Sequence, residues 1–242
     1  MKITAEFVTS AAGAAGLPVD RLPEIALVGR SNVGKSSLIN ALTRQAVART
    51  SAAPGKTRLA NFYRIRRGSH PALYIVDLPG FGYARGGSAA AREFEELTAA
   101  YFGVRLTAEG PRQPAAILLV DARHAGLESD ISAWHWLRET VANAAVVATK
   151  IDKLARGERI RAMRELESVV EDAVLPVSAV TGEGLDELWK WMDRLANSRN
   201  PQPPRRNPLR RSSRAAKEMA PLRPAPSKLE GPTKGRRSRP RR

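Results

Sequence analysis

Residues 29–36 fit the phosphate-binding pattern G-x-x-x-x-G-K-[ST] without a gap, and this segment constrains the fold more than any other. It follows the apolar run 24–29 (EIALVG), typical of a buried parallel strand, and precedes 36–43 (SSLINALT), typical of a helix. Glycines let a backbone wrap closely around phosphate oxygens, and N–H groups at a helix N-terminus favour negative charge. The sequence therefore predicts a strand, a phosphate-binding loop and a helix in succession.

Short apolar runs alternate with helical patterns along most of the chain. The predicted strands are 24–29, 61–67, 72–77, 115–121, 144–149 and 173–177. The predicted helices are 36–43, 88–102, 128–141, 156–171 and a last one with Leu185, Leu188, Trp189, Met192 and Leu195 on one face. This alternation predicts an α/β, three-layer P-loop NTPase fold with helices on both faces of a mostly parallel six-stranded sheet. The strand 61–67 would be its one antiparallel edge strand.

The formal net charge of +16 is concentrated at the end of the chain. Residues 199–242 hold 15 Lys or Arg against two acids, and 198–242 holds nine of the 17 prolines and no aromatic residue. Such a segment buries too little apolar surface to offset its chain entropy. We therefore predict an N-terminal segment at 1–22, a folded domain at 23–197 and a disordered basic tail at 198–242.

The composition also limits the cellular setting. The chain has no cysteine, which excludes disulfides and thiolate metal sites. No apolar run reaches the roughly 18 residues of a spanning helix. Polar residues at Thr4, Glu6 and Thr9 interrupt any secretory h-region. We expect a cytoplasmic monomer without a membrane span.

Five positions are predicted to act on the triphosphate and a magnesium ion. Lys35 would reach the β- and γ-phosphates, and the Ser36 hydroxyl would bind Mg²⁺, which prefers oxygen ligands. The segment Asp77-Leu78-Pro79-Gly80 fits D-x-x-G, so Asp77 would hold Mg²⁺ through water and the Gly80 N–H would sense the γ-phosphate. Thr57, within Pro54-Gly55-Lys56-Thr57, would add a second hydroxyl to Mg²⁺. Both loops would order around the γ-phosphate and relax after hydrolysis.

Guanine selection is predicted from Thr149-Lys150-Ile151-Asp152, which fits [NT]-K-x-D and follows an apolar strand. A carboxylate at Asp152 can accept from both guanine N1–H and the N2 amine, and adenine offers neither in that arrangement. The stem of Lys150 would cover the base. The backbone of Ser178-Ala179, after the last strand, would contact the guanine oxygen, although this short pattern is as well explained by chance.

These segments together define the predicted site. The catalytic residues are Lys35, Thr57 and Gly80, and the metal ligands are Ser36, Thr57 and Asp77. The residues predicted to bind GTP or GDP are Gly29, Arg30, Ser31, Asn32, Val33, Gly34, Lys35, Ser36, Gly55, Lys56, Thr57, Arg58, Leu59, Asp77, Leu78, Pro79, Gly80, Thr149, Lys150, Ile151, Asp152, Val177, Ser178 and Ala179.

The residue after D-x-x-G predicts slow intrinsic hydrolysis that a partner accelerates. Many GTPases orient the attacking water with a glutamine there, but this chain has Phe81, which forms no side-chain hydrogen bond. Phe81 either packs within its loop, which we favour, or gates the water. Asn32 either helps to hold a potassium ion or is a simple turn residue.

Five sequence segments resemble the EngB (YihA/YsxC) family, one of the TrmE-Era-EngA-like P-loop GTPases. They are GRSNVGKSSLIN (29–40), PGKTR with NFY (54–63), DLPGFGYA (77–84), DARH (121–124) and TKIDKL (149–154). The resemblance covers about residues 3–196. It implies a single GTPase domain, a role in large ribosomal subunit assembly, and a link to normal cell division and septation. The chain departs from the family at Ala53, Arg58 and Phe81, and the basic tail has no counterpart there.

Two functions therefore remain open. The first is a GTPase switch that visits the large ribosomal subunit or its rRNA, with the tail as an electrostatic tether. The second is an RNA-binding protein in which the basic tail dominates and the nucleotide site is only structural. For the tail itself, simple solubility is a third interpretation.

Overall fold

The computed structural model describes residues 2–13, 16–20, 22–49, 59–81, 96–103, 105–107 and 110–197. The strands are β1 (Ile3–Ala11), β2 (Glu24–Gly29), β3 (Ala60–Arg67), β4 (Leu73–Asp77), β5 (Arg105–Thr107), β6 (Gly110–Arg112), β7 (Ala115–Asp121), β8 (Ala144–Thr149) and β9 (Val174–Pro176). The helices are α1 (Lys35–Thr43), α2 (described over 96–102), α3 (Glu128–Thr140), α4 (Arg156–Val170) and α5 (Leu185–Asn197).

Seven strands form one sheet in the order β1-β3-β4-β2-β7-β8-β9. Strands β4, β2, β7, β8 and β9 run parallel to one another, whereas β3 pairs antiparallel with both β4 and β1. The three-layer α/β fold is thus confirmed. Because the parallel strands share one direction, their carboxyl ends meet at a single edge of the sheet.

The N-terminal segment corrects the predicted strand count from six to seven. Its polar residues alternate with apolar ones, which is the period of a half-exposed strand, and β1 pairs with β3 from Ile3 to Ala11 around one bulge. The antiparallel strand β3 is consequently the second strand of the sheet, and β1 is the edge. The short β5–β6 hairpin was also not predicted.

Two apolar clusters cover the two faces of the sheet. On one face, α1 and α5 pack through Leu38, Ile39 and Leu188, Met192 against strand residues such as Ile75. On the other face, α2, α3 and α4 pack against the opposite side of the same strands. Their main contributors are Leu97, Tyr101, Phe102, Ala133, Trp134, Leu137, Leu166 and Val170. The sheet is thereby held rigidly between two helical layers.

The last helix is fixed to β3 by a buried cation. The guanidinium carbon of Arg67 lies 4.0 Å from the ring centroid of Trp189, and the same group is ion-paired with Asp193. Arg67 is buried despite its charge, which the aromatic ring and the carboxylate both offset. The predicted tail 198–242 follows α5 and lies outside the described residues.

Candidate nucleotide-binding site

The candidate site lies at the carboxyl ends of the parallel strands. The loops after β2, β4, β7, β8 and β9 meet there, and these loops carry the motifs that the sequence singled out. Gly55, Lys56, Thr57 and Arg58 lie outside the described residues. Leu59, the next residue, is 39% exposed beside the start of β3.

The phosphate-binding loop is shaped by close packing and by left-handed backbone. A Cβ on Gly29 would lie 2.8 Å from the carbonyl oxygen of Leu119 and 2.9 Å from Val33 Cγ1, so only glycine fits. Asn32 (φ 64°) and Gly34 (φ 110°) turn the chain into α1. Helix α1 has neither a side-chain cap nor an acidic residue in its first turn, so its positive end is available to an anion.

Three ionisable or hydroxyl side chains meet behind this loop. The Ser36 hydroxyl donates to Asp77 Oδ2 at 2.8 Å, and Lys35 Nζ donates to the carbonyl oxygen of Gly29 at 3.4 Å. Burial lowers the pKa of Lys35, an effect that Asp77 opposes, and burial raises the pKa of Asp77, which Lys35 and the Ser36 hydrogen bond oppose. Asp77 Oδ1 is buried and accepts no hydrogen bond from the described residues.

The D-x-x-G segment is fastened to the phosphate-binding loop by its backbone. Phe81 N donates to the Gly29 carbonyl at 3.3 Å, and Ser31 N donates to the Phe81 carbonyl at 3.4 Å. A Cβ on Gly80 would lie 2.7 Å from Ser31 N, so the two loops touch where residue 80 has no side chain. Leu78 and Phe81 are buried in the core, which agrees with the interpretation that Phe81 packs.

Thr149 and Lys150 join the end of β8 to the phosphate-binding loop. The Thr149 hydroxyl donates to the Val33 carbonyl at 2.8 Å and also lies 3.1 Å from the Val120 carbonyl oxygen. Lys150, at a φ of 60°, donates to the Asn32 carbonyl at 2.6 Å. The stem of Lys150 thus crosses the loop, with its Cε 3.8 Å from the position of a Cβ on Gly34.

Asp121 lies in the DARH segment (121–124) and contacts the site, although it is not among the predicted site residues. It ends β7, is almost fully buried, and accepts at Oδ2 from Lys150 Nζ (3.0 Å) and from Arg123 Nη2 (2.7 Å). Its Oδ1 accepts from Arg123 Nε at 2.9 Å. Burial alone would raise the pKa of Asp121, but the hydrogen bonds from Arg123 and Lys150 hold it well below its usual range. Asp121 therefore stays ionised and pulls the Lys150 ammonium toward the loop.

Asp152 is oriented by a side chain from the loop after β9. The Ser178 hydroxyl donates to Asp152 Oδ1 at 2.7 Å, and this hydrogen bond is the main cause of a lowered pKa for Asp152. The same hydroxyl oxygen accepts from the N–H groups of Val180 and Thr181, and Ile151 N donates to the Val177 carbonyl. Sequence reasoning gave Ser178 only a backbone role, whereas its side chain also fixes the carboxylate. Ala179 follows in the same turn and is partly buried.

Arg30 links the phosphate-binding loop to α3. Arg30 Nε lies 3.2 Å from Asp130 Oδ1, but neither Asp130 oxygen is in hydrogen-bond geometry with a described residue. Burial raises the pKa of Asp130 to about 6, and Arg30 opposes this shift. The pair is 100 residues apart in sequence, so no local pattern could have predicted it.

Relatives of this chain match its sequence over most of its length. A family model described as 50S ribosome-binding GTPase matches residues 24–151. The probable GTP-binding protein EngB of Lacticaseibacillus casei (strain BL23) is 41% identical over 192 residues, which cover 77% of this chain and 92% of that protein. The protein of the same name from Heliobacterium modesticaldum is 42% identical over 208 residues, 84% of this chain and 97% of that protein. The chain belongs to the EngB family of GTP-binding proteins.

The EngB-family assignment confirms that the chain binds GTP and is a GTPase. A similar fold occurs in the solved structure of Era in complex with MgGDPNP and nucleotides 1506–1542 of 16S ribosomal RNA. That match has a TM-score of 0.59 at 22% identity and covers 75% of this chain and 59% of that one. In the described part of the EngB-family chain, no helix is long and apolar enough to cross a membrane.

The Asp121–Lys150 contact predicts a role for Asp121 in nucleotide affinity. An Asp121→Asn variant keeps the side-chain shape but removes the charge that holds Lys150 on the loop. Losing one charge-assisted hydrogen bond should weaken GDP binding about ten-fold. Because Asp121 lies at the Lys150 end of the site and not beside Ser36 or Gly80, kcat at saturating GTP should stay unchanged.

Titration of a fluorescent GDP analogue and multiple-turnover hydrolysis at saturating GTP would measure the two quantities. Asp186→Asn, at an exposed acid in the first turn of α5, is the matched control. Unchanged GDP affinity, or a kcat that falls as much as the affinity, would contradict the role of Asp121.

Proposed function

We propose that this EngB-family GTPase is a magnesium-dependent switch with slow hydrolysis that acts in the cytoplasm in assembly of the large ribosomal subunit. Through that role it would support normal cell division and septation. The observation that carries the switch is the backbone contact of Gly80 and Phe81 with Gly29 and Ser31. The segment that would sense the γ-phosphate thus lies directly against the loop that would hold it.

The residue roles follow from the two ends of the site. At the phosphate end, the 29–36 loop, Lys35 and the N-terminus of α1 would bind the triphosphate. Burial disfavours the charge on Lys35, and a polyphosphate beside it would restore that charge. At the base end, Asp152 would accept from guanine N1–H and N2, with Lys150 along the base and Ser178 holding the carboxylate in place.

The residues present fit a magnesium ion. Ser36 and Asp77 provide a hydroxyl and a carboxylate in contact with each other, and Asp77 has a buried oxygen that no described residue uses. These are the hard oxygen donors that Mg²⁺ prefers. When bound, the ion would neutralise charge that develops on the phosphate oxygens. Ser36 and Asp77 would hold it, Thr57 would add its hydroxyl, and Gly80 N–H would bind the γ-phosphate.

The ribosomal part of the proposal is supported by the description of the matched family as ribosome-binding. Era, which shares the fold, is bound to ribosomal RNA in its solved structure. The basic segment 198–242 would neutralise RNA phosphates without reading sequence. The alternative, an RNA-binding protein with a purely structural nucleotide site, is favoured if Lys35→Ala leaves ribosome-linked activity intact.

The base-recognition role of Asp152 predicts an exchange of nucleotide preference in Asp152→Asn. Asparagine presents an N–H where the carboxylate accepts, which mismatches the guanine N2 amine but matches the carbonyl that xanthine carries there. GTP affinity should fall at least about 100-fold and XTP affinity should rise. Competition calorimetry with GTP, XTP and ATP measures both. Equal GTP affinity in the variant, or equal ATP and GTP affinity in the wild type, would overturn the assignment.

The position of Asn32 leads to a prediction about whether potassium accelerates GTP hydrolysis. Its left-handed φ of 64° and exposed position fit a turn residue, and the same position would let its amide oxygen reach a cation beside the phosphates. If potassium acts there, GTP hydrolysis should be faster in KCl than in NaCl at equal ionic strength, and Asn32→Ala should abolish the difference. Equal rates in the two salts would leave Asn32 as a turn residue only.

The ribosomal switch predicts nucleotide-dependent binding to particles. Sedimentation of the full chain with purified 50S particles should recover more protein with a non-hydrolysable GTP analogue than with GDP. Lys35→Ala should lose this nucleotide difference, because it lacks the phosphate-binding ammonium. Identical profiles with both nucleotides in the wild type would contradict a ribosome switch.

A further inference from the structure

The charge order along α4 is opposite to the order that stabilises a helix. Residues 156–164 contain four arginines and one acid, whereas residues 165–172, the end of α4 and the two residues after it, contain four acids and no base. Cations near a helix N-terminus and anions near its C-terminus oppose the macrodipole and slightly destabilise the helix. Helix stability therefore does not account for this arrangement.

Three of these arginines are exposed and have no partner among the described residues. Arg156, Arg161 and Arg164 are exposed, and none forms an ion pair or hydrogen bond within the described part of the chain. Arg159 differs, because its guanidinium is paired with Glu183. The three free arginines flank Ile160, a large apolar side chain that is 45% exposed. We call Arg156, Ile160, Arg161 and Arg164 the α4 basic face.

The α4 basic face is held rigidly and lies next to the base end of the site. The opposite side of α4 is buried in the core through Ala162, Leu166 and Val170. Helix α4 begins shortly after the turn Ile151–Lys153, which contains the guanine-selecting Asp152. The face therefore belongs to the rigid domain and carries no residue of the D-x-x-G segment.

We propose that the α4 basic face is a docking surface for the sugar–phosphate backbone of RNA, an inference that rests on the proposed ribosomal function. Unpaired guanidinium groups bind phosphate through parallel N–H donors, so they suit an RNA backbone better than an apolar partner. From Arg156 to Arg164 the face spans about 12 Å along the helix, enough to reach more than one phosphate. Ile160 provides an apolar contact for sugars between them.

The α4 basic face has a different role in RNA binding from the basic tail. A long polycation gives salt-dependent attraction with no fixed orientation. Phosphate contacts from a rigid helix fix how a protein sits on its RNA. Docking through α4 would present the base end of the nucleotide site to the RNA in one orientation. Because the face is remote from Gly80 in sequence and carries no γ-phosphate contact, its contribution should be the same in both nucleotide states.

A triple variant of the full chain, Arg156→Gln, Arg161→Gln and Arg164→Gln, tests the proposal. The matched control removes three exposed cations elsewhere, by Lys2→Gln, Arg44→Gln and Arg66→Gln. Binding to purified 50S particles, and to the RNA extracted from them, is measured across a range of KCl concentrations with a GTP analogue and with GDP. Basal GTP hydrolysis by each variant checks that the domain is folded.

We expect the α4 variant to bind particles and extracted RNA about ten-fold more weakly, by the same factor with either nucleotide. The slope of log affinity against log salt should fall by about two. The control variant should change by no more than about two-fold. Equal losses in the α4 and control variants would overturn the docking surface. Loss of particle binding with unchanged RNA binding would overturn RNA as the occupant and indicate a ribosomal protein.

Different results would overturn the proposed ribosomal function and the proposed docking surface. If the wild type binds extracted RNA but not 50S particles, the ribosomal function is overturned, and the α4 variant is then judged on RNA alone. If the wild type binds neither, both proposals are overturned.

Discussion

Burial of two opposite charges behind the phosphate-binding loop is the constraint on which the rest of the site depends. Lys35 and Asp77 are both held largely out of water, and burial acts against the charged form of each. Among the described residues they are offset only by each other, by the Ser36 hydroxyl and by a long contact to the Gly29 carbonyl. Such a site favours ligands that bring negative charge to Lys35 and positive charge to Asp77. The parallel strands place both groups at the same edge.

Much of the fold was predictable because the buried strands have a simple local pattern. The boundaries of Glu24–Gly29, Ala115–Asp121 and Ala144–Thr149 were predicted to the residue, since each is a continuous apolar run that ends in a glycine or polar residue. The edge strand Ile3–Ala11 was missed because its half-exposed alternation was considered only as evidence against a signal sequence. Its strand character depends on pairing with β3, which lies far away in the chain.

Residues of the site could be predicted only where they belong to a sequence motif. The loops after β2, β4 and β8 have fixed spacings, so their residues could be identified from the sequence. Asp121, the Ser178 hydroxyl and the Arg30–Asp130 pair could not, because each acts on a residue distant in sequence. These contacts orient Lys150, Asp152 and the phosphate-binding loop. Some of the residues involved belong to recognised segments, but no sequence pattern shows which residue each of them contacts. Motifs identify the groups that meet a ligand, and the fold supplies the groups that aim them.

The absence of a side chain at Gly80 has a consequence for how this family can diverge. The backbone of Ser31 occupies the space that a Cβ at residue 80 would need. Any replacement there requires a different course of the loop 29–36, and any such course alters the cradle in which Lys35 lies. Two segments far apart in the chain are thereby tied to one another, so a larger residue at position 80 is tolerated only if the loop 29–36 changes with it.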